Sequence, residues 1–146
     1  MFCGVKKNLV LPEEFIFRMQ KLPKSELEVL EILEVLEVLK NKFRSGELTR
    51  REWYLRSGIG RNGAWRNWKL VIEPNLVLAQ NYLDFGNKKQ KHRLDSYQQF
   101  LLYFVEILLI VNRTYDEARI FLLEERNYQQ ITRRKFIDWI ESRDNT

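Results

Sequence analysis

The sequence predicts a mainly α-helical protein, with a helical hairpin, one small β-hairpin and a C-terminal helical extension. Three observations support this fold class. Helix-capping residues punctuate the chain, apolar residues recur at helical spacing, and only one short stretch is typical of a β-hairpin. The chain has 146 residues, of which 45% are apolar and 13% aromatic, so it can bury a core without disulfides.

The first elements are two helices separated by a proline. Two glutamates in the first turn favour a short helix over Glu13–Lys21, and Pro23 interrupts it. Ser25 and Glu28 form a capping-box pattern for a longer helix over residues 26–44. Its Glu-Val/Ile-Leu repeat has a period of three, which produces a wide, slanting apolar ridge and not a coiled-coil seam.

Residues 48–72 have the punctuation of two short helices joined by a tight turn. Thr49 is a hydroxyl N-cap for the first helix, Gly58 can adopt the positive φ that ends it, and Asn62 can cap the second helix. A helical wheel gives the second helix an apolar face and a polar, cationic face. The two faces consist of Ala64, Trp68, Val71 and Ile72, and of Asn62, Arg66 and Lys69.

Residues 75–94 are open to two interpretations. The favoured one is a strand over residues 76–85 that turns at Gly86 and Asn87 and returns to Leu94, with a basic tip that can touch phosphate. The rival interpretation is a short helix starting at Asn75, followed by a basic loop.

From Asp95 onward the sequence is typical of helices. Asp95 begins a very apolar helix that reaches Val111, and Thr114 and Thr132 can cap two further helices. So apolar a helix must be covered, either by the first long helix or by a second copy of the protein. A homodimer through residues 97–111 is therefore a hypothesis.

The helical hairpin also presents a particular order of residue types. The positions are Thr49, Trp53, Gly58, Ile59, Arg61, Asn62, Ala64, Trp68 and Val71. This order resembles the helix-turn-helix of winged-helix DNA-binding domains. The preceding segments, residues 12–19 and 21–33, are similar to the opening of the winged-helix domains of phage and plasmid replication initiators.

The resemblance implies a winged helix-turn-helix domain over residues 10–95. Residues 96–146 would then be a helical extension for dimerisation or partner contact. The alternative is an ordinary helical hairpin that uses the same capping chemistry.

Positive charge is concentrated in two places. The net charge is +5, yet residues 40–69 carry nine Lys/Arg against two Asp/Glu, and residues 86–93 carry four against none. A basic patch of this kind is typical of a protein that binds a polyanion. The alternative is that these lysines and arginines only solvate an exposed helix face.

The resemblance and the charge together indicate which residues would contact DNA. Arginine can bind guanine or phosphate, asparagine can bind adenine, and Trp65 can either pack in the core or stack on a base. The candidate DNA-binding residues are Arg50, Arg51, Arg61, Asn62, Trp65, Arg66, Lys69, Lys88, Lys89, Lys91 and Arg93.

The usual constellations of enzyme chemistry are missing from the sequence. His92 is the only histidine and Cys3 the only cysteine, which argues against a metal cluster. Gly58, Gly60 and Gly63 have the spacing of a dinucleotide fingerprint, but they follow a helix instead of a strand. We therefore expect no enzyme activity, no catalytic residues, no metal and no cofactor.

The expected function is sequence-specific binding of double-stranded DNA, as a transcription regulator or as a replication or plasmid-maintenance factor of a mobile element. The alternative is an all-helical, non-enzymatic interaction subunit that binds RNA or an acidic protein through its basic face. A lone cysteine and the lack of a signal-peptide pattern favour the cytoplasm. The most apolar run, residues 100–111, is shorter than the roughly 20 residues that span a bilayer, so no membrane association is expected.

Overall fold

The computed structural model describes residues 13–23, 26–83, 93–112 and 114–142. These residues form a mostly helical fold with one small antiparallel strand pair, which confirms the predicted fold class. The helices are α1 Glu13–Lys21, α2 Val29–Leu36, α3 Lys40–Arg44, α4 Arg50–Ser57, α5 Arg61–Arg66, α6 Leu76–Leu83, α7 Ser96–Asn112, α8 Tyr115–Leu123, α9 Glu125–Tyr128 and α10 Arg133–Glu141. The strands are β1 Leu48–Thr49 and β2 Arg93–Leu94. None of the described helices is long and apolar enough to cross a membrane.

Helix α7 lies at the centre of the core. Fourteen of its seventeen residues are buried, so it is contacted from all sides. Its packing partners include α1, α2, α3 and α8. The apolar side chains of residues 97–111 are thus covered by helices of the same chain, the first long helix among them. Their burial gives no support to a homodimer through residues 97–111, which stays a hypothesis.

The two predicted segments, residues 10–95 and 96–146, share one hydrophobic core. Phe43 on α3 meets Phe100 on α7 edge to face at 6.0 Å, and it meets Phe136 on α10 at 6.1 Å. Such aromatic contacts add to the free energy gained by burial. The division into two domains remains a prediction.

The first half of the chain follows the predicted helices with one shift. Helix α1 has the predicted bounds, whereas α2 begins at Val29, three residues later than predicted. Glu28 takes the extended N-cap conformation, and Ser25 lies outside the described residues. A 3-10 turn at Glu37–Leu39 joins α2 to α3. The period-three repeat suits this turn, because a 3-10 helix has three residues per turn.

Residues 76–83 form α6 and not the predicted strand. Asn75 begins the helix, since its Oδ1 accepts a hydrogen bond from the Leu78 amide at 3.1 Å. Leu78, Ala79 and Tyr82 then lie on the buried side at helical spacing. The rival interpretation, a short helix starting at Asn75, is therefore the one that the chain adopts.

The strand pair forms elsewhere than predicted. β1 pairs antiparallel with β2, with Leu48 opposite Leu94 and Thr49 opposite Arg93. The two strands are far apart in sequence, so they are not joined by the tight turn that was expected. Gly86 and Asn87 lie outside the described residues.

Candidate nucleic-acid interface

The turn between α4 and α5 has the predicted start and end signals. The Thr49 hydroxyl oxygen accepts from the Glu52 amide at 3.1 Å, and Glu52 Oε1 accepts from the Thr49 amide at 3.0 Å. These two bonds form a capping box, and hydrogen bonding to Thr49 holds the pKa of the Glu52 carboxyl below its ordinary value. Gly58 ends α4 at a φ of 78°, and Ile59 is fully buried behind it.

Helix α5 begins two residues earlier than the predicted cap at Asn62 implies. Gly60 occupies the N-cap position with an extended backbone, and Arg61 is the first helical residue. Asn62 therefore lies in the first turn, where it is exposed and does not act as the cap. Because Gly60 has no side chain, the start of α5 has no side-chain cap.

A π-helical segment, Asn67–Ile72, continues α5 and ties it to the core. The Glu73 amide donates to the Trp68 carbonyl oxygen, five residues back, at 2.8 Å. Asn67 is fully buried, and its Nδ2 donates to Glu106 Oε1 on α7 at 3.0 Å. The inner face of the helix is thus fixed by a buried polar contact as well as by apolar packing.

The opposite face of α5 points to solvent. The five candidate residues of this helix and its π-helical continuation are all exposed, and we call them the α5 face: Arg61, Asn62, Trp65, Arg66 and Lys69. Trp65 is 59% exposed, so it is a surface residue and not part of the core. Trp53, in contrast, is 1% exposed, and its ring centroid lies 5.5 Å from that of Tyr103. It is therefore a core residue.

The candidate cations differ in whether they already have an acidic partner. Lys69 pairs with Glu73 at 2.8 Å, and Arg93 pairs with Glu47 at 3.1 Å. The side chains of Arg51, Arg61 and Arg66 form no ion pair or hydrogen bond with any residue that the structure describes. These three arginines are therefore the ones most readily neutralised by an external anion. Lys88, Lys89 and Lys91 lie outside the described residues.

A groove runs between α4 and α5, and we call it the α4–α5 groove. It consists of two adjoining cavities of about 320 Å³ and about 450 Å³, both lined by Arg50, Tyr54 and Arg61. The smaller cavity is also lined by Ala64, Trp65, Trp68, Tyr82 and Leu83, and the larger one by Thr49 and Arg51. Basic and aromatic side chains thus dominate its walls.

Tyr82 stands where α6 meets this groove. Its ring stacks on Trp68 with a centroid distance of 4.8 Å and an interplanar angle of 22°. Burial raises the pKa of Tyr82 to about 12, and a hydrogen bond from Arg50 opposes that shift in part. The hydroxyl is therefore neutral at physiological pH.

No family model, curated protein or solved structure matches this chain. The resemblance to winged helix-turn-helix domains thus remains an interpretation of the residues themselves. Within the described part of the chain, no three His, Cys, Asp or Glu side chains lie close enough together to hold a metal ion.

Sequence reasoning missed the aromatic walls of the groove. The sequence predicts a strand at Tyr82 and places Trp68 only on the apolar face of the second helix. The missed signal for Tyr82 was its i, i+4 spacing from Leu78, which places both residues on one face of a helix.

Proposed function

We propose that the protein binds double-stranded DNA through the α5 face and the neighbouring arginines of α4, as a regulatory or replication-type DNA-binding protein without enzymatic activity. The observation that carries the proposal is the trio Arg51, Arg61 and Arg66. These arginines have no acidic partner among the described residues. Asn62 and Trp65 accompany Arg61 and Arg66 on the exposed α5 face.

The dimensions of the helix suit this role. Residues 61–72 span about 18 Å, and the major groove of B-DNA is about 12 Å wide and admits one α-helix. Arg61 and Asn62 lie at the start of the helix, where recognition helices contact base edges. Arg51, on the preceding helix, would hold a phosphate and set the register.

The attachment of α5 to the core supports the same proposal. Ala64, Val71 and Ile72 are buried, and Asn67 is bonded to α7. A helix held in this way loses little conformational freedom when it binds, so less of the interaction free energy is spent on ordering.

One observation keeps the second candidate function in consideration. Residues 76–83 are helical and do not form the first strand of the predicted wing over residues 76–94. This segment therefore lends no support to DNA binding through a wing. An all-helical subunit that docks RNA or an acidic protein through the same arginines is the alternative.

The proposal is tested by fluorescence anisotropy of a labelled DNA duplex over a series of salt concentrations. Wild-type protein should bind with a steep salt dependence, and Arg61→Ala/Arg66→Ala should bind more weakly. The slope of log K against log salt should fall by about 0.9 for each of the two arginines that contacts a phosphate.

Arg126→Ala is the matched control, since Arg126 is an exposed arginine on α9 and its side chain pairs only at 3.7 Å, with Glu124. It should leave affinity and slope unchanged. The proposal is contradicted if wild type fails to bind at low salt, or if the double variant behaves like the control. Tighter binding of an RNA duplex or of polyglutamate than of DNA would favour the alternative.

A further inference from the structure

We infer that the α4–α5 groove accepts one unpaired nucleotide of the bound DNA, with its base against the aromatic walls and its phosphate on the arginines. This inference rests on the proposed function and adds a second kind of contact to it. The α5 face would bind the paired duplex, and the groove beside it would bind a base that has left the stack.

The aromatic lining is the first argument. Four rings line the smaller cavity, and they are those of Tyr54, Trp65, Trp68 and Tyr82. Trp65 is 59% exposed, so its large ring is available to a ligand. Tyr82 is neutral at physiological pH, so the wall that it forms with Trp68 carries no negative charge. Bases stack on such rings with little dependence on sequence.

The charge of the lining is the second argument. Arg50 and Arg61 line both cavities, and Arg51 lines the larger one. Among the residues that the structure describes, the lining includes no aspartate or glutamate. Planar guanidinium groups bind phosphate through paired hydrogen bonds. A phosphate next to a seated base therefore meets the positive charge of these arginines.

The shape of the groove indicates why the base must be unpaired. Within a duplex, the faces of a base are covered by its neighbours, and only its edges are accessible in the grooves. A recess lined by aromatic side chains can take a base between them only when that base has been removed from the stack. A cavity of about 320 Å³ is at the lower end of the range for small-ligand sites, which fits a single nucleotide.

The test compares three labelled probes by anisotropy at one salt concentration. They are a blunt duplex, the same duplex with a short single-stranded overhang, and that overhang made of abasic nucleotides. Wild type should bind the overhang duplex about fivefold to a hundredfold more tightly than the blunt duplex, because one stacked base contributes that much. The abasic overhang keeps its phosphates but has no base to stack, so the duplex that carries it should bind no more tightly than the blunt duplex.

Variants at Trp65 test whether the higher affinity for the overhang duplex arises from the α4–α5 groove. Trp65→Ala should bring the ratio of overhang to blunt affinity close to one, and Trp65→Phe should largely restore it, because phenylalanine retains a stacking ring. Arg66→Ala should weaken both probes in the same proportion, because Arg66 does not line the groove.

The outcomes separate this inference from the proposed function. Equal wild-type affinity for blunt and overhang duplexes overturns the inference and leaves duplex binding intact. Binding of the overhang duplex with no binding of the blunt or abasic-overhang duplex overturns the proposed function and supports the groove. No binding of any probe at low salt overturns both.

Discussion

Asn67 joins the exposed helix α5 to the centre of the core. It is fully buried, and its Nδ2 donates to Glu106 Oε1 at 3.0 Å and to the Leu102 carbonyl oxygen at 3.4 Å. Glu106 is itself only 2% exposed. Polar groups this deep in a core are costly when unpaired, so the contact fixes how α5 sits on α7.

The hydrogen bond between Asn67 and Glu106 predicts that two substitutions of Glu106 differ in stability. Glu106→Ala leaves the Asn67 amide with only the longer hydrogen bond to the Leu102 carbonyl oxygen and opens a cavity, and it should lower the free energy of unfolding by about 2–4 kcal/mol. Glu106→Gln keeps both an acceptor and the volume, and it should cost clearly less. Urea unfolding monitored by circular dichroism measures both values, and equal stability of the two variants would contradict this role.

The single residues that the sequence predicted best are those with local chemistry. Thr49 and Gly58 work through neighbours within four positions, so their roles follow from the residue types alone. The burial of Asn67 depends on a glutamate 39 positions away. Nothing in the sequence near Asn67 indicates that contact.

The turn between α4 and α5 is the element on which the candidate interface depends. Its two glycines, Gly58 and Gly60, differ in backbone conformation. Gly58 has a φ of 78° and Gly60 a φ of −71°. A side chain at a positive φ meets its own backbone, whereas the extended conformation suits any residue.

These two glycines give a matched pair of variants with opposite expected effects. Gly58→Ala should lower the free energy of unfolding by about 1–2 kcal/mol, because alanine is strained in the left-handed region. Gly60→Ser should raise it by a few tenths of a kcal/mol, because a serine there can cap α5 and a Cβ there meets no atom within 4 Å. Thermal and urea unfolding check both. A neutral Gly58→Ala would refute the assignment of the turn.

Residues 76–83 show where a sequence pattern cannot decide between elements. A short apolar run fits a buried strand and a buried helix equally well by periodicity. Here the helix is stabilised by the Asn75 side chain, which caps its first turn, and by the packing of Leu78 and Tyr82. Gly86 and Asn87 favour a hairpin after this run, whereas Asn75 favours a helix, and the chain follows the Asn75 cap.

At the scale of the whole molecule, α7 determines how the segments combine. The sequence indicated its boundaries and its need for cover, but it could not choose between the first long helix and a second copy. In the structure, α7 is covered by residues of the same chain that lie far from it in sequence, as in the cluster of Phe43, Phe100 and Phe136.

The buried tyrosines predict how the protein responds to alkali. Burial raises the pKa of Tyr82, Tyr97 and Tyr103 above the ordinary value of 10.0, to about 12 for Tyr82. A raised pKa means that the folded state favours the protonated hydroxyl. The resulting stability is fully present below pH 10 and is lost as the pH rises through the folded-state values.

We therefore expect these three tyrosines to ionise together with unfolding. Tyrosinate absorbance and circular dichroism, followed from pH 9 upward, should show that their ionisation coincides with the loss of helical signal. Tyr103→Phe removes one of the ionising groups and should move the transition to higher pH. Complete ionisation of all six tyrosines with an unchanged helical signal would contradict the burial described above.

The central claim is that the α5 face and the adjacent part of α4 bind nucleic acid. Amide chemical shifts of the labelled protein, recorded while a DNA duplex is added, test it most directly. The account predicts that the shifted amides lie in residues 49–51 and 58–70, while those of α1, α8 and α9 remain in place. Shifts confined to α8–α10, or none at low salt, would contradict it.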